Sequence, residues 1–559
     1  MEHIPSEVFL VVLVVAIVIA LSSVSDRLGI APPLILMLVG VGISFLPFVT
    51  PIEIKPEWIL MVILPPLLYG AALAIPTVDF RRDFSAVGGL AVFLVVASAL
   101  IMGLIIHWII PDVSLAYGIA LGAILSPTDA AATTIARRLG VPSRVSIILQ
   151  GESLLNDATA LVLLRSAIAA AAATAGSVSV WKVAGDFLWA ALAAAAIGAV
   201  IGWLGVRVRR LIHESAGTTA MSFLIPFLAF IPAELVHASG LVAVVAAGLV
   251  AAQKGPKHLD ARQRLSEQAN WHTVEYILEG AVFFIMGLEL KKFILDVHQS
   301  SESLWAGLGI AALALFIITV LRGGFIAGLV KATQHTSSKK IERSEKLKDV
   351  DLDLALSKRD ELLMERRAHL KARLSNWDNT EERKAHRLEY FTTLAQRYIA
   401  DAEYLIRQPL GFKEGSLLIW GGMRGVVTLA AAQTLPAATP HRSLMILIAF
   451  FVAAGSLVIQ GGTLGWAVKG LGLDGMDVEP EGEWERLQNE LKQGAKDWKQ
   501  PETKPVPDAL VPLAKLRAQR AVLLELRSTG TYSSSCLAHA LNELDAEELG
   551  LQIRLHQGD

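Results

Sequence analysis

Glu152, Ser153, Asn156 and Asp157 bring two carboxyls, a hydroxyl and an amide into one short segment of an otherwise apolar stretch, RVSIILQGESLLNDATALVLLRSAI. On a helix Glu152 and Asn156 share a face, with Ser153 and Asp157 one position further round. A further acid, Asp129, closes the string Ser126-Pro127-Thr128-Asp129 in the preceding apolar stretch. A carboxylate at membrane depth costs from roughly 2.5–3.5 to more than 10 kcal/mol depending on the scale, so its default reading is an ion or proton site. Pro127 lacks a backbone donor and breaks its helix, freeing carbonyls beside the oxygens of Ser126 and Thr128; irregular backbone lining a cavity is how transporters build cation sites. Asp157, Ser153, Thr128 and the carbonyls near Pro127 are all oxygen donors, with Asn156 adding an amide. One carboxylate is enough to couple two fluxes, because deprotonated it holds a hard cation and protonated it lets the cation go.

Glu152 needs a different role, since a second bare carboxylate beside Asp157 would repel it. Arg322 and Arg424 are its available partners for a structural ion pair, a guanidinium being permanently charged and able to bind a carboxylate through two bonds. Which of the two is closer stays open. His107 and His237 fall near outer span ends and read as interfacial. Glu275 and Glu279 share a helix face near the inner end of their span and read as interface or funnel residues.

These groups need a bilayer-spanning scaffold, and the composition supplies one. The chain has 559 residues, 53% hydrophobic and 18% charged, with mean hydropathy +0.51. That is too apolar for a soluble domain of this size and marks an all-α polytopic membrane protein in contact with lipid. Net charge is −2, which favours no nucleic acid, and one cysteine, Cys536, excludes an internal disulfide framework and a cysteine metal cluster. At about 20 apolar residues per crossing, thirteen transmembrane helices are expected, near 7–24, 31–49, 57–75, 84–110, 114–138, 145–170, 183–205, 218–235, 238–253, 273–291, 305–331, 415–435 and 443–468. Glu2 and Glu7 precede the first, the wrong flank for a cleaved signal peptide. The short loops after odd-numbered spans, leaving aside 332–410, hold thirteen Lys and Arg against five after even-numbered spans. The positive-inside rule therefore puts the N-terminus outside and the C-terminus in the cytoplasm.

The twelfth span is interrupted by Gly421, Gly422 and Gly425 around Arg424, as the fifth is by Pro127. Two broken spans seven positions apart run in opposite directions, which fits an inverted repeat of spans 1–6 and 8–13; paired breaks of this kind point to the substrate site. Residues 1–470 thus form a transmembrane domain, interrupted by a charged cytoplasmic insertion at 332–410 that reads as two amphipathic helices broken near 375–380. Residues 471–559 form a cytoplasmic tail that starts acidic and Pro-containing and continues with helices at 509–528 and 534–554. No phosphate-binding glycine loop is present, so nothing suggests ATP-driven transport or a cofactor.

The strings Leu64-Pro-Pro-Leu-Leu-Tyr69, Ser126-Pro-Thr-Asp129, Gly151-Glu-Ser-Leu-Leu-Asn-Asp157 and Gly421-Gly-Met-Arg-Gly425 resemble those of the monovalent cation/proton antiporter superfamily, in its bacterial sodium/proton exchanger branch. The resemblance covers roughly residues 7–470 and implies an antiporter fold with two unwound, crossing helices. It further implies a homodimer in the bacterial inner membrane that exchanges Na+, or Li+ or K+, for H+. Asp157 would be the exchanged carboxylate, Asn156 its motif partner, with Thr128, Asp129 and Ser153 lining the site and Glu152 paired to a core arginine. An Asn-Asp pair in place of two aspartates implies electroneutral exchange by elevator-like motion. Two positions depart from the pattern: some relatives carry Glu where this chain has Gly70, which puts cation ligation from that helix in doubt, and some follow the span-five Asp with Pro, where this chain has Ala130. A cation channel is the rival of another class, because interrupted helices also line pores. An intramembrane hydrolase would need HExxH or GxSxG strings that the chain lacks.

Overall fold

Apolar runs of this length can satisfy their backbone only by closing it into helices, and the computed structural model shows that outcome. It describes residues 6–28, 31–47, 49, 55–172, 180–212, 214–348, 397–476, 482–500 and 506–557, all helix, turn or loop with no strand among them. The helices are α1 (Ser6–Leu28), α2 (Pro32–Ser44), α3 (Pro56–Ala74), α4 (Phe84–Ile109), α5 (Leu115–Leu125), α6 (Ala131–Arg138), α7 (Ser143–Ala172), α8 (Val180–Leu211), α9 (Ser215–Leu235), α10 (Gly240–His258), α11 (Ala261–Gln299) and α12 (Leu304–Lys348). They continue with α13 (Phe412–Trp420), α14 (Val426–Gln433), α15 (Arg442–Leu471), α16 (Glu483–Asp497), α17 (Val511–Thr529) and α18 (Ser534–Gln557). A short helix, Thr77–Arg82, joins α3 to α4.

Seven helices among the described residues are each long and apolar enough to cross a bilayer alone: α3, α4, α7, α9 and α15 in full, and α8 and α12 through Gly185–Leu211 and Leu304–His335. Among the other expected spans, α2 and α5 are shorter, α11 carries Glu275, Glu279, Glu289, Lys291 and Lys292 along its length, and the fifth and twelfth spans are each split in two. Pro226 and Pro232 sit inside α9 without ending it, as packed membrane helices allow.

The chain divides into two compact units, one of residues 1–327 and 412–478, the other of 328–411 and 479–559. In the first, small residues let helices touch backbone to backbone: Gly40 of α2 faces Gly287 of α11, where an added Cβ would sit 3.1 Å from the opposite Cα. Close approach through small residues is the usual way membrane helices gain packing contacts. Two buried ion pairs brace this unit: Arg144 with Asp83 at 2.8 Å and Arg209 with Glu267 at 2.7 Å.

In the second unit α16, α17 and α18 enclose Leu487, Leu491, Leu516, Leu523, Leu537 and Leu544, and Arg520 pairs with Asp545 at 2.6 Å. Gly530, at φ 74°, closes α17 in the left-handed conformation that lets a helix stop. The two expected tail helices correspond to α17 and α18. Helix α16 falls in the stretch read as acidic and Pro-containing; its signal was Leu487 and Leu491, four apart among charges. Within the same unit Arg397 donates from Nε to the Ser528 carbonyl at 2.9 Å, so residues from both the insertion and the tail contribute to it. The expected break near 375–380 lies outside the described residues.

Candidate functional site

Breaking a membrane helix exposes four amides at one end and four carbonyls at the other, and both interruptions do this in the same place. Between α5 and α6 residues 126–130 leave the helix; between α13 and α14 residues 421–425 do. The two segments cross in direct contact, the Asp129 amide donating to the Met423 carbonyl at 2.7 Å. Two helix C-termini and two helix N-termini therefore meet, with partial negative charge at the former and partial positive charge at the latter.

Side chains take up the orphaned groups. At the end of α5, Ser126 donates from Oγ to the Gly122 carbonyl at 2.7 Å and Arg424 from Nε to the Leu125 carbonyl at 3.3 Å. Arg424 also donates to the Gly422 carbonyl. At the end of α13, Arg322 donates from Nε to the Leu418 carbonyl at 2.9 Å. At the N-termini the Asp129 carboxylate accepts from the Ala131 amide at 2.8 Å, and its Oδ2 lies against Gly425, the residue that precedes α14. Ser456 of α15 accepts from the Arg424 amide at 2.8 Å. Each charge thus faces the helix ends of opposite sign.

The glycines are required by this closeness. A Cβ on Gly425 would lie 2.7 Å from the Cβ of Asp129, and one on Gly422 would lie 2.5 Å from Nε of Arg322. Gly421 similarly receives Leu149, 2.9 Å from where its Cβ would be.

Helix α7 presents its polar face to the crossing. Glu152 and Arg322 form a two-bond pair, Nη2 to Oε2 at 2.8 Å and Nη1 to Oε1. Thr128 donates to Glu152 Oε1 at 3.1 Å and accepts from Asn156 Nδ2 at 2.7 Å. Arg322 is therefore the partner of Glu152, and Arg424, the other candidate, instead faces carbonyls. The chain Asn156–Thr128–Glu152–Arg322 locks α7 to the break and to α12.

Asp157 stands apart from this network. It is only 6% exposed, yet among the described residues no hydrogen bond or ion pair engages its carboxylate. It is close enough to Asp129 for their charges to interact. Beside it the Oδ1 of Asn156 is buried with no donor among the described residues, and Ser153 is buried one turn away. Counting formal charge at the crossing, Arg322 and Arg424 offset Glu152 and Asp129, and Asp157 is the surplus.

The sequence reading missed Ser456, an ordinary small residue in an apolar helix, and the bond from Gln433 Nε2 to Glu289 Oε2 at 2.9 Å, which ties α14 to α11. Nothing local in the sequence marks either. His107 donates from Nδ1 to the Val113 carbonyl, 2.7 Å away, and takes no part in the crossing.

Comparison with known proteins agrees with this architecture. The family model described as "Sodium/hydrogen exchanger, transmembrane" matches residues 12–347. Over 309 residues the chain is 33% identical to an uncharacterized Na+/H+ exchanger of Escherichia coli K12, a match covering 53% of this chain and 56% of that protein. Over 327 residues it is 31% identical to a sodium, potassium, lithium and rubidium/H+ antiporter of Bacillus subtilis, covering 56% of this chain and 48% of the relative. The matched stretch thus spans about half the length of these curated relatives. The structure of the sodium proton antiporter from Methanocaldococcus jannaschii at pH 8 aligns with a TM-score of 0.56 at 17% identity, over 83% of this chain and 98% of that one, a likeness of fold.

Proposed function

The chain belongs to the sodium/hydrogen exchanger family, and on that premise we propose that it is a secondary antiporter exchanging a monovalent cation, Na+ first, for H+ across a bacterial plasma membrane, with Asp157 as the alternating site. The observation that carries this reading is the unpaired Asp157 carboxylate, buried beside an unpartnered Asn156 oxygen while the nearby Glu152 is paired with Arg322. A buried carboxylate without a counter-charge is costly, and either a proton or a metal cation removes the cost. Occupancy by one excludes the other, so inward movement of one drives outward movement of the other.

Within this mechanism Thr128, Ser153 and Asn156 supply oxygens around Asp157. Asp129 acts through the helix N-terminus it caps and the one it lies against, and the Glu152–Arg322 pair holds the frame. Because H+ and Na+ carry the same charge, the loaded site has the same net charge with either, which makes the exchange electroneutral. A channel needs no such alternating group. The name of the Bacillus subtilis relative extends the substrate range to consider to K+, Li+ and Rb+.

The finer architecture belongs to the same proposal: thirteen crossings, an inverted repeat that places the two breaks opposite each other, an outside N-terminus and a cytoplasmic C-terminus. Exposed Leu188, Trp189 and Leu192 on α8 and Leu224, Leu228 and Ile231 on α9 suit lipid or a second copy in a homodimer.

In everted vesicles holding a preformed pH gradient, Na+ should dissipate the gradient saturably, with Li+ and K+ scanned beside it and a potential-sensitive dye unchanged. A dye response to Na+ would contradict one-for-one exchange, and dissipation that never saturates would favour a channel.

A further inference from the structure

An imidazole has two ring nitrogens and, when neutral, one proton to share between them. His441, which precedes α15, turns both toward carboxylates. Nδ1 lies 2.6 Å from Oε1 of Glu302, in the loop joining α11 to α12, and Nε2 lies 3.6 Å from Oδ2 of Asp112, in the loop joining α4 to α5. A neutral ring satisfies one acid and sets a lone pair against the other; a protonated ring donates to both, whichever way round it sits. Among the described residues no other hydrogen bond or ion pair reaches the imidazole, and the second oxygen of Glu302 is buried with no donor. The other ionisable side chains at these helix ends are His107, bonded to the Val113 carbonyl, Tyr117 on α5, Asp296 and His298 in the last turn of α11, and Arg442 on α15.

The backbone is bent out of its ordinary range at the same place. Of the three non-glycine residues with positive φ among the described residues, two are His441 at 54° and Ser301 at 55°. Such conformations persist only where the surroundings fix them, and beside them Ser300 donates from Oγ to Ser443 Oγ at 3.3 Å. The next residue carries the contact inward. Arg442 donates from Nε to the Leu435 carbonyl and from Nη2 to the Gln433 carbonyl, both at 2.8 Å, so it grips the end of α14, whose other end lies at the crossing. Gln433 itself donates to Glu289 of α11.

We propose that His441 is a second proton site, separate from the transported one, through which external acid ties the outer helix ends together and slows exchange. This rests on the antiport reading and the topology above, which place these three loops outside. A proton on the ring draws Asp112 and Glu302 onto one cation, fastening the α4–α5 and α11–α12 loops to the start of α15; through Arg442 the same tie holds α14. A movement of the broken helices that carries the site from one membrane face to the other has to part these contacts. The sign follows from the charges. The tie is complete where the ring is charged, and it loses its Asp112 contact as external pH rises through the range in which a histidine gives up its charge. Exchange that brings protons in acidifies the cell when the outside is acidic, and a brake engaged by external acid opposes that.

The test is tracer Na+ exchange in right-side-out vesicles bearing the full chain, with internal pH clamped and external pH stepped. External protons also compete at Asp157, so the quantity to read is the ratio of variant to wild-type rate, in which that competition cancels. For His441→Gln the ratio should rise by roughly three- to fivefold as external pH falls from about 8 to about 6, what one partly exposed ion pair is worth over the range in which a histidine takes up its charge. Asp112→Asn, in an exposed loop, leaves the fold intact and removes the charge that the second ring proton serves, so its ratio should rise in the same direction. Moving internal pH over the same range should leave both ratios flat. A ratio that ignores external pH in either folded variant, or that follows internal pH instead, overturns the proposal while exchange itself persists. Wild-type vesicles without saturable Na+ exchange, or exchange surviving Asp157→Asn, would remove the antiport reading beneath it.

Discussion

Asp157→Asn is expected to reduce cation-driven proton movement to the background of empty vesicles while leaving the protein folded and inserted. The amide is nearly isosteric with the carboxyl, and among the described residues Asp157 makes no hydrogen bond or ion pair that the change would break. What disappears is the charge. A unit charge about 4 Å from a cation at an effective dielectric near 20 contributes about 4 kcal/mol, which at about 1.4 kcal/mol per tenfold is roughly a thousandfold in affinity. The amide also cannot carry the proton back. Exchange measured by the recovery of a quenched pH probe, alongside size-exclusion behaviour of the purified variant, checks both halves of the expectation. Saturable exchange retained in a well-folded Asp157→Asn protein would remove the assignment.

The second large effect is on stability. Glu152→Gln leaves the guanidinium of Arg322, 1% exposed, without its counter-charge, and the hydroxyl of Thr128 loses a charged acceptor. Removing one partner of a buried pair costs about 3–5 kcal/mol, against a typical total of about 5–15 kcal/mol for a folded domain. A sharp fall in folded yield and in the thermal midpoint of the detergent-solubilised protein should follow. Glu152→Leu combined with Arg322→Met should be less destabilised than either single change, because no bare charge remains. Equal or additive losses in the double variant would argue that the pair is not coupled as drawn. This experiment separates frame from chemistry: the Glu152 variants should lose protein, the Asp157 variant should lose transport.

Parts of this arrangement are legible in the sequence because their causes are local. Pro127 cannot donate a hydrogen bond whatever surrounds it, so a break in the fifth span follows from one residue. The spacing of Glu152 and Asn156 places them on one face by helix geometry alone. Hydropathy places the apolar helices to within a few residues at most ends, with α7 found at Ser143–Ala172 where 145–170 was expected. It overreaches where a helix outlasts its apolar part, and α11 extends from Ala261 to Gln299 around an expected 273–291.

Other parts need the third dimension. Arg322 and Arg424 are equivalent as sequence, and only packing makes the first a partner of Glu152, 170 residues away, and the second a cap on α5. Asp129 looks like a cation ligand because it is a buried acid next to a break; its contact with Gly425 depends on a segment almost three hundred residues downstream. Gly70 read as a missing carboxylate, and the acid whose carboxyl occupies its gap, Glu275 of α11, lies on a helix whose periodicity carries no hint of that neighbour.

Direct measurement of proton release on cation binding tests the alternating-occupancy claim most closely. Purified protein in weakly buffered detergent solution, near the pH where exchange is fastest, is titrated with NaCl against a choline chloride control and the released acid is recorded. The account predicts saturable release approaching one proton per protein chain in the wild type, and none from Asp157→Asn. Sodium binding without proton release in the wild type, or undiminished release from the Asp157→Asn protein, would contradict it.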